Sequence, residues 1–155
     1  MQYVDVCIAN EEDAEKVFGI KPENSDITAG NISKDGYKSV AKKLADKFGC
    51  KFVAITLRSS ISASDNICAA MLYDSDDFYF SKEYKIHIVD RVGGGDSFGA
   101  GLIYALTNGY SSSDALEFAT AASCLKHSIE GDYNMVTVAE VLTLMGGDGS
   151  GRVQR

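Results

Sequence analysis

Val89-Asp90-Arg91-Val92-Gly93-Gly94-Gly95-Asp96-Ser97-Phe98-Gly99-Ala100-Gly101 is the stretch whose reading decides the fold. Before it, Tyr84 to Val89 reads as a strand. After it, Asp96 to Leu106 is apolar almost all round and reads as a buried helix. Three consecutive glycines therefore sit where a strand hands over to a helix. Without β-carbons the backbone there can turn sharply and a ligand can touch it. The first amides of a helix have no intrahelical acceptors and carry the positive end of the dipole, so the turn suits an anion. Asp96 puts a carboxylate at the same point. That carboxylate repels an anion unless something lies between them. A hydroxyl held between Asp96 and a phosphoryl group gives the arrangement a purpose. Asp96 would take the hydroxyl proton, and the amides of Gly94, Gly95 and Asp96 would steady the transferring group. Spacing alone leaves open a plain glycine-rich turn capped by an ordinary aspartate.

Two other glycine motifs fail here. A dinucleotide fingerprint needs glycine at i, i+2 and i+5, but Phe98 or Tyr104 falls in the third slot. A Walker A loop needs lysine after its second glycine, and Ala100 follows Gly99.

Working outward, the chain alternates strand and helix signals. Tyr3 to Ala9 reads as a strand, and Asn10 with Glu11-Glu12-Asp13 opens a helix that ends near Phe18, with Gly19 after it. A second helix is expected from Lys34 to Phe48, with Tyr37, Val40, Ala41, Leu44 and Phe48 on one face. Lys51 to Leu57 reads as a strand, Arg58 to Asn66 as a polar connection, and Ile67 to Tyr73 and Phe78 to Phe80 as short strands. Ser113 and Asp114 open a long helix ending near His127, and Thr137-Val138-Ala139-Glu140 is a capping box before a short one. This order predicts an α/β layered domain over residues 1–145, with a flexible glycine-rich tail over 146–155.

Bulk properties narrow the partners. The chain has 155 residues and a net charge of −7. That balance argues against nucleic acid and against anionic membranes, both of which favour basic patches. No apolar run is long enough to cross a bilayer, and the amino terminus lacks a signal-peptide pattern. Cys7, Cys50, Cys68 and Cys124 form no C-x-x-C pair and sit in apolar segments, so reduced buried thiols and a cytoplasmic location are expected. His87 and His127 stand at no zinc-ligand spacing to them.

Asp90 to Ile103 resembles the second signature of the PfkB (ribokinase-like) carbohydrate kinases. Arg91 departs from it, standing where most members carry Thr, Ser, Pro or Val. The resemblance implies a ribokinase-like three-layer αβα sandwich, of which this chain is the carboxyl-terminal portion. It implies Asp96 as general base and Gly93, Gly94 and Gly95 as the anion hole. It also implies ATP and Mg²⁺ as cofactors, and a monovalent cation such as K⁺ at a loop containing Asp90 and Val92. Asn10 to Asp13 resembles the family segment that organises Mg²⁺ and phosphate, with Asp13 where members carry Glu, so Glu12 and Asp13 both remain candidates beside Asn10. A capped, solvated helical turn is the simpler alternative. Thr56, Arg58 and Ser59 resemble the strand end and turn that line the nucleotide, though relatives such as ribokinase carry glycine near Arg58. Thr120 falls where many members place an adenine-proximal Asn, and plain packing explains it equally well.

Within the family, Thr56-Leu57-Arg58-Ser59-Ser60, the glycine loop and Leu125 to Asn134 resemble the 2-keto-3-deoxygluconate kinases. These phosphorylate the terminal hydroxyl of a sugar acid with ATP. A ribokinase- or fructokinase-type enzyme for another sugar is one alternative, and a non-catalytic nucleotide-binding or assembly module is another. The family's first half normally supplies most sugar contacts. The resemblance therefore implies an amino-terminal half or a second chain as partner, and allows a homodimer. Alone, the chain is expected to be incomplete for catalysis.

Overall fold

The computed structural model describes residues 1, 3–20 and 34–147. Most of the expected flexible tail, residues 148–155, lies outside them. The elements run β1 (Val6–Asn10), α1 (Glu11–Phe18), α2 (Lys34–Phe48), β2 (Phe52–Ser60), β3 (Asp65–Tyr73), β4 (Phe78–Phe80), β5 (Tyr84–His87), α3 (Gly94–Thr107), α4 (Ser112–Lys126) and α5 (Val138–Gly146). The sheet has the order β1-β2-β3-β4, with β5 paired to β3. The chain forms two compact units. One comprises the described part of Met1–Leu57 with Ala70–Tyr79, the other Arg58–Ala69 and the described part of Phe80–Arg155.

In the first unit, β1 and β2 run parallel, with Cys7 opposite Val53, Ala9 opposite Ile55 and Asn10 opposite Thr56. Parallel strands bury both faces and read as apolar runs, which Val53-Ala54-Ile55 does with no exposure at all. Asn10 ends β1 and caps α1 in one step. Its Oδ1 accepts from the amides of Glu12 and Asp13, and its own amide donates to Asp13 Oδ2 at 3.0 Å. Such a box satisfies donors that the helix start would otherwise leave open, a stabilisation of about 1 kcal/mol. Gly19 closes α1 in the left-handed region at φ 67°. Val40, Ala41, Leu44 and Ala45 make the buried stripe of α2, and Phe48 meets Phe18 of α1 at 4.8 Å between ring centroids.

In the second unit, β3 and β5 pair antiparallel from Asp65–His87 to Cys68–Tyr84. Tyr84, almost fully enclosed, donates its hydroxyl to Glu117 of α4. The same carboxylate accepts the Lys82 amide at 3.0 Å, so β5 and the segment that leads into it are both tied to α4. α3 lies close against α4 because Gly101 lacks a side chain. A β-carbon there would stand 3.0 Å from Ala119 Cα. Thr137 and Glu140 form the expected capping box at α5.

Several boundaries differ from the sequence reading. β1 begins at Val6, because Val4 turns back to bond the Met1 carbonyl and Tyr3 faces solvent. The polar connection from Arg58 to Asn66 shrinks to a hairpin. β2 runs on to Ser60 and β3 starts at Asp65, with Ser62 Oγ accepting the Asp65 amide at 2.9 Å. Exposed strand ends carry polar side chains while their backbones stay in the ladder, so hydropathy does not mark them. β5 stops at His87 because the amides of Val89 and Asp90 bond the His127 carbonyl instead. α3 starts at Gly94, two residues early, since glycine has poor helix propensity and hides a first turn.

Candidate active site

The glycine turn belongs to the second unit, and its three glycines differ in what surrounds them. Gly93 is the N-cap of α3 at φ 76°, and a β-carbon on it would lie 2.3 Å from the Asp132 carbonyl oxygen. A β-carbon on Gly94 would lie 2.4 Å from Cε1 of the His127 ring. Around Gly95 nothing comes within 4 Å of that position. The turn is thus packed at its first two glycines and open at the third.

No side chain caps α3. The Ser97 amide reaches back to the Gly93 carbonyl at 2.9 Å. The amides of Gly94, Gly95 and Asp96 precede that first helical bond, the positions that a helix start leaves for an external acceptor. Asp96 is exposed in the first turn, beside them. These amides and the Asp96 carboxylate share the first turn of α3.

The turn is held from α4. The His127 carbonyl accepts from Val89 and Asp90 at 2.8 and 3.2 Å. Its Nδ1 donates to the Ser123 carbonyl at 2.7 Å, and Ser123 Oγ donates to the Gly94 carbonyl at 2.9 Å. Burial pulls the His127 pKa below its ordinary value, and the nearby cations Arg58, Lys126 and Arg91 push the same way. The ring is therefore neutral near pH 7, and its Nε2 has no partner among the described residues. Asp90 braces the entry to the turn. Its Oδ1 accepts the Val92 amide at 3.0 Å and its Oδ2 the Gly131 amide at 2.8 Å. Those two bonds hold its carboxyl below the usual range, and Lys126 adds to the effect. Arg91, the departure from the family signature, donates from Nη2 to the Ala63 carbonyl at 2.6 Å and so ties the turn to the β2–β3 hairpin.

The remaining predicted residues divide between the units. Arg58 and Ser59 are exposed on β2 in the second unit. The Arg58 guanidinium stands beside Cys68. The Cys68 thiol is lowered first by a hydrogen bond with Cys124 and then by this cation, while Cys124 is raised by the same hydrogen bond and by burial. Thr120 is enclosed, and its Oγ1 donates to the Leu116 carbonyl at 2.8 Å. Its hydroxyl serves α4 itself, so the packing explanation is the one this arrangement favours. In the first unit, Asn10 and Thr56 are register partners on adjacent strands. Asn10 and Asp13 are engaged in the cap, and Glu12 pairs with Lys16 at 2.5 Å, which lowers its carboxyl.

Sequence reading missed His127, Ser123 and Lys126 as supports of the turn. All three lie in the last turns of α4, where a histidine or lysine reads as an ordinary complement to the helix dipole. Their burial, near total for Lys126 and His127, is a tertiary fact. A cleft of about 250 Å³ also lies between β5, α4 and α5, lined among others by Tyr84, Ile86, His87, Cys124, Leu125 and Leu144. No three His, Cys, Asp or Glu side chains among the described residues cluster as a metal site, and no described helix is long and apolar enough to cross a membrane.

The described residues thus form an α/β domain whose strand–glycine–helix turn presents free amides and a carboxylate together. The model of the pfkB family carbohydrate kinases matches residues 1–138, and the chain belongs to that family. It is similar to 2-dehydro-3-deoxygluconokinase from Thermotoga maritima, with 46% identity over 94% of this chain and 43% of that one, at a TM-score of 0.86. A PfkB family carbohydrate kinase from Listeria grayi shares 32% identity over 94% and 42% of the two chains, with a TM-score of 0.77. Phosphofructokinase-2 from Escherichia coli, in complex with potassium, shares 14% identity over 91% and 40%, with a TM-score of 0.62, a likeness of fold. The chain spans less than half the length of each. No curated protein matches it.

Proposed function

We propose that this chain is the phosphoryl-transfer end of an ATP-dependent sugar-acid kinase that converts 2-keto-3-deoxygluconate to its 6-phosphate. The observation that carries the reading is the open Gly95 beside an exposed Asp96 on an uncapped helix start. Charge develops on the transferred phosphoryl oxygens, and amides already oriented there need no reorganisation to meet it. Asp96 accepts the proton of the attacking hydroxyl. The turn fits a phosphate, because packing leaves no room for side chains at Gly93 and Gly94 and the backbone at Gly95 lies open.

ATP is the donor, and Mg²⁺ supplies charge neutralisation between its phosphates. Asn10, Glu12 and Asp13 would organise the metal and phosphates, through oxygens not already committed to the helix cap. Thr56, Arg58 and Ser59 would line the nucleotide. The sugar contacts and the completion of the enzyme would come from an amino-terminal half or a second chain. Identity of 46% to a 2-dehydro-3-deoxygluconokinase favours that sugar acid over ribose or fructose.

The test is ³¹P NMR of ATP turnover by a polypeptide that joins this chain to an amino-terminal half. The 2-keto-3-deoxygluconate should yield a new phosphomonoester, with ribose and fructose lagging by at least about tenfold, the discrimination that one well-placed polar contact supplies. Faster phosphorylation of ribose or fructose would overturn the substrate.

A further inference from the structure

Lys126 is the last residue of α4 and is fully enclosed, with 0% of its surface exposed. A buried lysine is rare unless its charge is met. Here it is met by the Ile129 carbonyl, beside the loop containing Asp90 and Val92 to which the family resemblance assigns a monovalent cation. Nζ donates to the Ile129 carbonyl at 3.0 Å. The stem runs against the glycine turn, since a β-carbon on Gly93 would stand 3.2 Å from Lys126 Cε and 2.3 Å from the Asp132 carbonyl oxygen. Asp90, ionised under its two backbone hydrogen bonds, is close enough for Lys126 to lower its carboxyl further. The carboxyl-terminal end of α4 adds the negative pole of its dipole.

We propose that the Lys126 ammonium is a built-in replacement for a monovalent cation, so that the phosphate turn of this chain works without potassium. An ammonium and a potassium ion are similar in size and both seek carbonyl and carboxylate oxygens. A tethered ammonium has already lost its freedom on folding, whereas a free ion must be captured. Potassium among the same oxygens would lie beside a fixed positive charge and be repelled. The residues present therefore do not fit a bound K⁺. The inference rests on reading this turn as the phosphate end, but its test needs no turnover.

The experiment compares thermal midpoints of the 155-residue chain in potassium chloride and in tetramethylammonium chloride at a matched ionic strength of about 0.1 M. Wild type should melt alike in both. Lys126→Met keeps the stem and removes the charge. It should melt lower in tetramethylammonium and recover by at least about 2 °C in potassium. A potassium-specific rise in wild type, or a Lys126→Met variant blind to potassium, would overturn the proposal. If that variant does not fold in either salt, wild-type crystals soaked in rubidium decide. An anomalous peak between the Asp90 and Ile129 loops contradicts it, and none there supports it. Loss of kinase activity without a potassium response would count against the phosphoryl-transfer reading and leave this inference standing.

Discussion

Asp96→Asn is expected to lower turnover about 10²- to 10⁴-fold in a complete kinase that contains this chain, while ATP binding changes little. The amide side chain keeps the size and the hydrogen-bonding reach of the carboxylate but cannot accept a proton. Asp96 is exposed and belongs to the first turn of α3, so the substitution removes no packing. A general base acts only as the hydroxyl is deprotonated, so the loss should appear in kcat and not in the KM for ATP. Equal turnover in the variant would remove Asp96 from the mechanism and return it to the role of an ordinary helix-start acid.

Gly93→Ala is expected to have the largest effect on folding. Two costs coincide at this position. The left-handed backbone at φ 76° costs an alanine about 1–2 kcal/mol. The new β-carbon would also meet the Asp132 carbonyl oxygen at 2.3 Å, a backbone atom that cannot rotate away. Together these amount to about 3 kcal/mol or more, a large part of the stability of a typical domain. Gly131→Ala is the control. Gly131 has φ 79° and nothing within 4 Å of a β-carbon, so only the conformational cost applies. Urea melts of the two variants should therefore separate, with Gly93→Ala falling further. Similar midpoints would mean that the turn relaxes and that its close packing is not a constraint.

The strand, glycine turn and helix at residues 84–106 could be read from composition, because a glycine triplet breaks the apolar pattern between the two segments. The caps at Asn10 and Thr137 could be read as well, since a capping box is local chemistry within four residues. What escaped was tertiary. Lys126 and His127 look like surface residues at a helix end, yet they form the floor of the turn. Arg91 looks like a deviation from a signature, yet it anchors the turn to Ala63. Thr120 sits at a position the family would give to the nucleotide, and only the structure shows that its hydroxyl donates to the Leu116 carbonyl within α4. Such roles depend on which elements meet, and periodicity does not carry that information.

The central claim is that the Gly93–Asp96 turn receives the phosphates of ATP. Calorimetric titration of the 155-residue chain with ATP and Mg²⁺, set against adenosine, tests it most directly. Gly95→Val would put bulk into the space beside the amides, where a β-carbon meets nothing within 4 Å. Wild type should bind ATP more tightly than adenosine by at least about tenfold, a difference near 1.4 kcal/mol, and Gly95→Val should erase that difference. Equal affinity for ATP and adenosine in wild type, or an unchanged preference in Gly95→Val, would contradict the account.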